Sequence, residues 1–215
     1  MTPARIVQLF AEEEHRLIEN LFLANGSKRK TVTFTAPERH TGCSWLVSRI
    51  APTLAQRVAG SVCVVDANLH WPAMHTLYGI PNERGLLQAA MQPEAPIRSF
   101  TTHLSQMNLS VVPAGGPLAD SNALLCSQNM KVRITELARE FDYVLIDTPA
   151  MKSCADCGAI GPLTDGVVLV ISANSSKRDN ALNTRMILEA AKIPILGAVL
   201  NRRTFPVPDK IYQYL

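Results

Sequence analysis

A chain of 215 residues, 47% apolar and 18% charged, is long enough for one domain with a sizeable core, and its composition excludes wholesale disorder. Its net charge of +3, with no long run of like charge, is too mild to specify a nucleic-acid partner. No stretch reaches the ~18 apolar residues that cross a bilayer, and Glu12-Glu13-Glu14 falls where the apolar region of a leader would lie. A cytoplasmic protein with reduced cysteines is therefore expected.

The N-terminal segment, 1–28, is read as helical: in 4–24 Ile6, Leu9, Phe10, Leu17 and Leu21 recur at helical spacing. Lys28-Arg29-Lys30 reads as a solvated turn before a β-branched strand, TVTFTA (31–36). A loop follows, then a helix from about Ser44 to Ala59. SVCVVDA (61–67) is apolar almost throughout, as a strand buried on both faces of a parallel sheet must be. LSVVPAG (109–115) is a strand ending in a Pro/Gly turn, and 121–141 opens with capping residues and reads as one helix. Two further apolar strands, 142–150 and 165–173, precede a helix over 179–193 and a last strand over 194–202. Strands alternating with helices, without a linker or repeat, predict one α/β domain: three α/β/α layers about a mostly parallel central sheet.

Ligands of such sheets collect at the carboxyl ends of the strands. Three of those ends carry polar groups. The first is Pro37-Glu38-Arg39-His40-Thr41-Gly42-Cys43-Ser44, set against the phosphate-loop pattern G-x-x-x-x-G-K-[ST]. The second glycine and the hydroxyl are present; the first glycine is Pro37 and the lysine is Cys43. Alone, this octapeptide is either a degenerate phosphate loop or a plain strand–helix turn. The second and third ends are Asp66 and Asp147, each closing a buried strand. Such a carboxylate holds Mg²⁺ or its water beside a phosphate loop, or caps a helix. Cys154 and Cys157 form a CxxC with no second pair and no nearby histidine, which does not make a zinc site.

With these ends in order, a resemblance becomes specific. VCVVDANLHWPAMHTLYGIPNERGLLQAAM resembles the Asp-x-Asp-x-Arg-x-Pro block of the bacterial protein-tyrosine kinases of capsule and exopolysaccharide synthesis, a branch of the ParA/MinD-like P-loop proteins. VVPAGGPLADSNALL, FDYVLIDTPA, LTDGVVLVISA and ILGAVLNR are similar to the family's later blocks, in the same order. EEEHRLIENLFLA is similar to its N-terminal Glu-x-x-Arg-x-x-Arg helix. Over about residues 12–215 the resemblance implies a P-loop NTPase-like fold and an ATP·Mg²⁺ site.

In that implied site Thr41, Gly42, Cys43, Ser44 and Trp45 form the nucleotide loop, and Asn201 matches the asparagine that meets adenine. Ser44, Asp66 and Asp147 match the Mg²⁺ residues, and the two aspartates carry catalysis where there is any. The departures concentrate there: Cys43 for lysine, Asn68 for the second aspartate, His70 and Trp71 for the basic pair, and Glu19 for the helix's second arginine. One lost preorganised donor costs ~10²–10³ in rate, and phosphoryl transfer depends on little else. Arg39 and His40, within the loop, are the residues placed to compensate. The tail, 205–215, holds Tyr212 and Tyr214 as phosphoacceptor candidates. The resemblance thus implies a kinase-like protein of exopolysaccharide assembly with a degenerate ATP site, regulating or scaffolding; an active tyrosine autokinase and a ParA/MinD-like scaffold ATPase are the alternatives. Its implied partner is a membrane-embedded polysaccharide chain-length (co-polymerase) protein that recruits it to the inner face of the membrane. Assembly with itself or with an active kinase is also implied, and nucleic acid is not.

Overall fold

Strand residues that are apolar on both faces come together in the middle of one seven-stranded sheet. The strands are β1 (Thr31–Thr35), β2 (Val62–Asp66), β3 (Thr102–Leu104), β4 (Leu109–Val112), β5 (Tyr143–Asp147), β6 (Gly166–Ser172) and β7 (Ile195–Asn201). They lie in the order β3-β4-β2-β5-β1-β6-β7, all pairs parallel except β3 with β4. This is a computed structural model that describes residues 12–24, 29–152, 156–173 and 175–202. Tyr212, Tyr214 and Cys154 lie outside the described residues, as do the first 11 residues of the N-terminal helical segment.

The helices are α1 (residues 12–18, continued by a π turn, Glu19–Leu23), α2 (Cys43–Arg57), α3 (Met74–Tyr78), α4 (Leu86–Met91), α5 (Asn122–Leu125), α6 (Gln128–Glu140), α7 (Asp156–Ile160) and α8 (Arg178–Ala190). The two-residue period of the strands decides which layer each side chain meets. Val62 and Val64 pack with Ile18, Phe22, Ile50 and Leu54 from α1, its π turn and α2. Cys63 and Val65 pack with Leu86, Met130, Ile134 and Ile160 from α4, α6 and α7. The expected α/β/α layering and mostly parallel sheet are therefore present.

Two details differ from the sequence reading, and a third lies within a helix it expected. The single helix expected over 121–141 is two, α5 and α6, because Ser127 adopts an extended conformation and its hydroxyl accepts the Met130 N–H, starting a new helix. β3 went unread because a three-residue antiparallel edge strand with no buried face leaves no periodic signal. Pro52 sits inside α2 and removes the amide that would bond the Ser48 carbonyl; the Tyr78 hydroxyl donates to that carbonyl instead, at 3.2 Å. That bond ties α2 to α3 beside the carboxyl ends of the strands.

Candidate nucleotide site

The loop between β1 and α2 is held by its neighbours. The Thr35 hydroxyl donates to the Pro149 carbonyl at 2.9 Å, and the amides of Met151 and Lys152 donate to the carbonyls of Ala36 and Pro37. Glu38 accepts the Lys177 N–H at 2.7 Å and the Asn180 side-chain amide at 3.0 Å, bracing the loop against the start of α8. The Asn201 amide donates to the Thr41 carbonyl at 2.8 Å. Gly42, at φ 82°, turns the chain into α2, whose first intrahelical bond is Leu46 N–H to Gly42 O. The amides ahead of that bond lie at the positive end of the helix dipole, where anions are favoured.

Beneath this turn lie the two aspartates. Asp66 and Asp147 are register partners on adjacent strands, both fully buried. Ser44 Oγ donates to Asp147 Oδ2 at 2.6 Å. The other oxygen, Oδ1, is buried without a hydrogen-bond partner among the described residues. Asp66 is better provided: it accepts the N–H groups of Asn68, Ala73 and Met74 at 3.2, 2.8 and 2.9 Å, capping α3. Burial raises the Asp66 carboxyl to about 6, against the pull of those amides. Burial first, and then the charge of Asp66, push Asp147 to about 8, with the Ser44 hydroxyl and Cys43 thiol pulling back. The pair therefore carries one proton near neutral pH, on Asp147, whose charge has the fewest hydrogen bonds to stabilise it.

Above the aspartates opens a cleft of ≈ 310 Å³. Thr41, Gly42, Cys43, Ser44 and Trp45 all line it, so the sequence-predicted loop residues meet in one place. Asn68 lines it too, but its Oδ1 accepts the Trp71 N–H. His70 turns aside to Ser121, with Nε2 and Oγ 3.0 Å apart. In place of the basic pair, the Arg39 guanidinium lies 3.7 Å above the Trp71 ring. Arg202, which sequence reasoning missed, also lines the cleft. The signal for it was available: Arg202 directly follows Asn201 at the carboxyl end of β7, and in this class of sheet that end faces the ligand. Glu19, standing for an arginine, pairs with Arg57 at 3.0 Å.

These residues fit a nucleotide·Mg²⁺ group in part. A hydroxyl–carboxylate pair and an orphaned buried carboxylate oxygen suit a cation that keeps most of its waters and takes phosphate oxygens. Among the described residues no cluster of three His, Cys, Asp or Glu side chains would hold a metal unaided. Cys43, at the position where the phosphate-loop pattern carries lysine, presents a half-buried thiol.

No family model matches the chain. Sequence relatives include the tyrosine-protein kinase YwqD of Bacillus subtilis, 28% identical over 191 residues, covering 88% of this chain and 80% of that protein. Another is the tyrosine-protein kinase CpsD of Streptococcus agalactiae, 26% identical over 192 residues, with 89% and 83% covered. Among solved structures, the VpsO kinase domain superposes with a TM-score of 0.83 at 22% identity, over 94% of this chain and 98% of that one. A ParA family ATPase from Chlorobium tepidum gives 0.69 at 18% identity, over 86% and 78%. In sequence the chain is similar to bacterial tyrosine-protein kinases, and its mostly parallel α/β fold is the one seen in the VpsO kinase domain and in that ParA family ATPase.

Proposed function

We propose that this protein is a kinase-like P-loop component of capsule or exopolysaccharide assembly that binds ATP·Mg²⁺ weakly and acts by regulation or scaffolding rather than by rapid phosphoryl transfer. The observation that carries this reading is Cys43 at the lysine position of an otherwise braced loop, with the Ser44–Asp147 pair directly below it. Bound Mg²⁺ would supply charge neutralisation between phosphates. Ser44 and Asp147 would hold it, and Asp147 would surrender its proton as it does so. The α2 amides would orient the phosphates. Without a lysine, the charge that develops on the transferred group meets one fewer preorganised donor, which is why turnover suffers more than binding.

A partner embedded in the membrane fits the role that the resemblance implies; among the described residues no helix is long and apolar enough to cross a bilayer. The tail tyrosines, Tyr212 and Tyr214, are then substrates for an active kinase domain in a mixed assembly. The second reading, an active autokinase, is favoured by one observation: two arginines line the cleft that lacks a lysine. Glu38 weakens the third reading, a positioning ATPase: such loops carry a second, signature lysine near their start, where this chain has a carboxylate engaged with α8.

Titration of the purified protein with ATP·Mg²⁺, together with phosphotyrosine measurement, tests the reading. Weak binding, no phosphotyrosine, and tighter binding in Cys43→Lys are expected. Phosphotyrosine that accumulates on the unmodified protein and disappears in Asp147→Ala would establish the active kinase instead.

A further inference from the structure

The cleft has lost a cation at the loop, yet it has not lost positive charge. Arg39, from the loop, and Arg202, from the end of β7, both line it. Among the described residues neither makes an ion pair, although Arg49, Arg57, Arg98, Arg133 and Arg185 all do. The one acid lining the cleft, Glu38, is committed to α8. Each arginine has a defined resting place. Arg39 is stacked on Trp71, and the Arg202 Nε lies 3.5 Å from where a Cβ on Gly42 would stand, against the second glycine of the loop.

The backbone adds an independent sign. Of the three described non-glycine residues with positive φ, Lys192 is an ordinary helix C-terminus, but His40 (φ 64°) and Arg202 (φ 56°) both line the cleft. A left-handed residue with a side chain is strained. Such strain concentrates where a side chain must be aimed. Arg202 is held there by Asn201, whose Oδ1 accepts the Arg202 N–H at 2.9 Å while its amide holds the Thr41 carbonyl.

We infer that Arg39 and Arg202 together replace the loop lysine as a two-sided guanidinium clamp for the phosphate chain of the ligand. This rests on the nucleotide-site reading and deepens it: the charge comes from across the cleft rather than from within α2. A guanidinium presents a planar fork to phosphate oxygens, where a lysine presents a point charge. The clamp therefore grips a condensed phosphate chain whether or not a nucleoside is attached. Arg39 leaves the Trp71 ring as it engages.

Calorimetric titration of the purified full chain with inorganic tripolyphosphate, and separately with ATP·Mg²⁺, tests the clamp. The variants are Arg39→Gln, Arg202→Gln, Arg202→Lys and the surface control Arg98→Gln, with melting curves to show that each is folded. A charge-assisted hydrogen bond is worth about 1.5–3 kcal/mol, so each glutamine variant should weaken both probes by roughly 10–100-fold. Arg202→Lys should fall between, and Arg98→Gln should match the wild type. Tripolyphosphate should change tryptophan fluorescence in the wild type and not in Arg39→Gln. Binding that is unchanged in both glutamine variants overturns the clamp and leaves the nucleotide site standing. Failure of the wild type to bind either probe at millimolar concentration overturns the clamp and the ATP site together.

Discussion

Replacing Asp147 by asparagine should remove most of the pH dependence of stability of the nucleotide-free protein. The carboxyl ionises in the unfolded chain near its ordinary value of 3.8, whereas in the fold burial and the charge of Asp66 hold it to about 8. Between those values the folded protein keeps a proton that the unfolded chain releases. Stability is therefore greatest below the unfolded value and falls as pH rises to that of the fold. Asp66, raised to about 6, has the same sign over a narrower window. At about 1.4 kcal/mol per pH unit, the Asp147 displacement amounts to several kcal/mol across its whole range. From pH 5.5 to 8 roughly 2–3 kcal/mol should be lost, or about 5–10 °C in Tm for a chain of this length. The amide of asparagine resembles the protonated acid and does not titrate. Thermal melts in EDTA, at pH 5.5, 6.5, 7.5 and 8.5, should show a steep decline for wild type and a shallower one for Asp147→Asn. Parallel curves for the two proteins would refute the assignment of the proton to Asp147.

Gly42→Ala forces a side chain into φ 82° with its Cβ 2.5 Å from the Asn201 amide; denaturant unfolding should show a loss of about 1–3 kcal/mol. Gly158→Ala is its counterpart, in α7 with nothing within 4 Å of the new methyl, and should gain about 0.4–1 kcal/mol by the same measurement. Ser127→Ala deletes the cap on α6 and should cost about 1 kcal/mol, read as a Tm lowered by ~2–4 °C. Arg133→Met strands three carbonyls, of Ala89, Gln92 and Ala95, and takes from Glu136 its ion pair, leaving that carboxylate the Ile97 N–H; it should cost about 3–5 kcal/mol in chemical unfolding.

The inner strands were legible because burial on both faces demands uninterrupted Val, Ile, Leu and Cys, as in Val62–Val65 and Val167–Val170. Legible too was the convergence of the loop, Asp66 and Asp147, since parallel strands must place their carboxyl ends on one edge. Features set by single tertiary contacts were not legible. Ser127 inside a helical pattern gives no local sign that it will cap rather than continue. Nor does β3, whose only support is its hairpin with β4. Asn201 was read through resemblance as a base-facing residue, and the structure adds a bond from its amide to the Thr41 carbonyl. Arg202 escaped notice because a basic residue at the end of an exposed strand is ordinary until its neighbours in the cleft are known.

Which of these residues speak for a ligand depends on what else they do. Asp66 caps α3, Glu38 braces α8 and Asn201 ties down the loop. Each would be kept by a chain that needed nothing beyond this fold, so their presence says little about chemistry. Asp147 Oδ1, Arg39 and Arg202 differ. A buried carboxylate oxygen without a partner costs stability. A left-handed arginine is a further cost, and two arginines with no ion pair among the described residues line the same cleft. A polyanion carrying a divalent cation would offset the first and the last of these, and the strained backbone is what aims Arg202 at it. It would neutralise the guanidinium pair, and Asp147 would help to hold its metal. A domain that needed nothing beyond this fold would be stabilised by losing these groups, so they speak for the proposed phosphate ligand where Asp66, Glu38 and Asn201 do not.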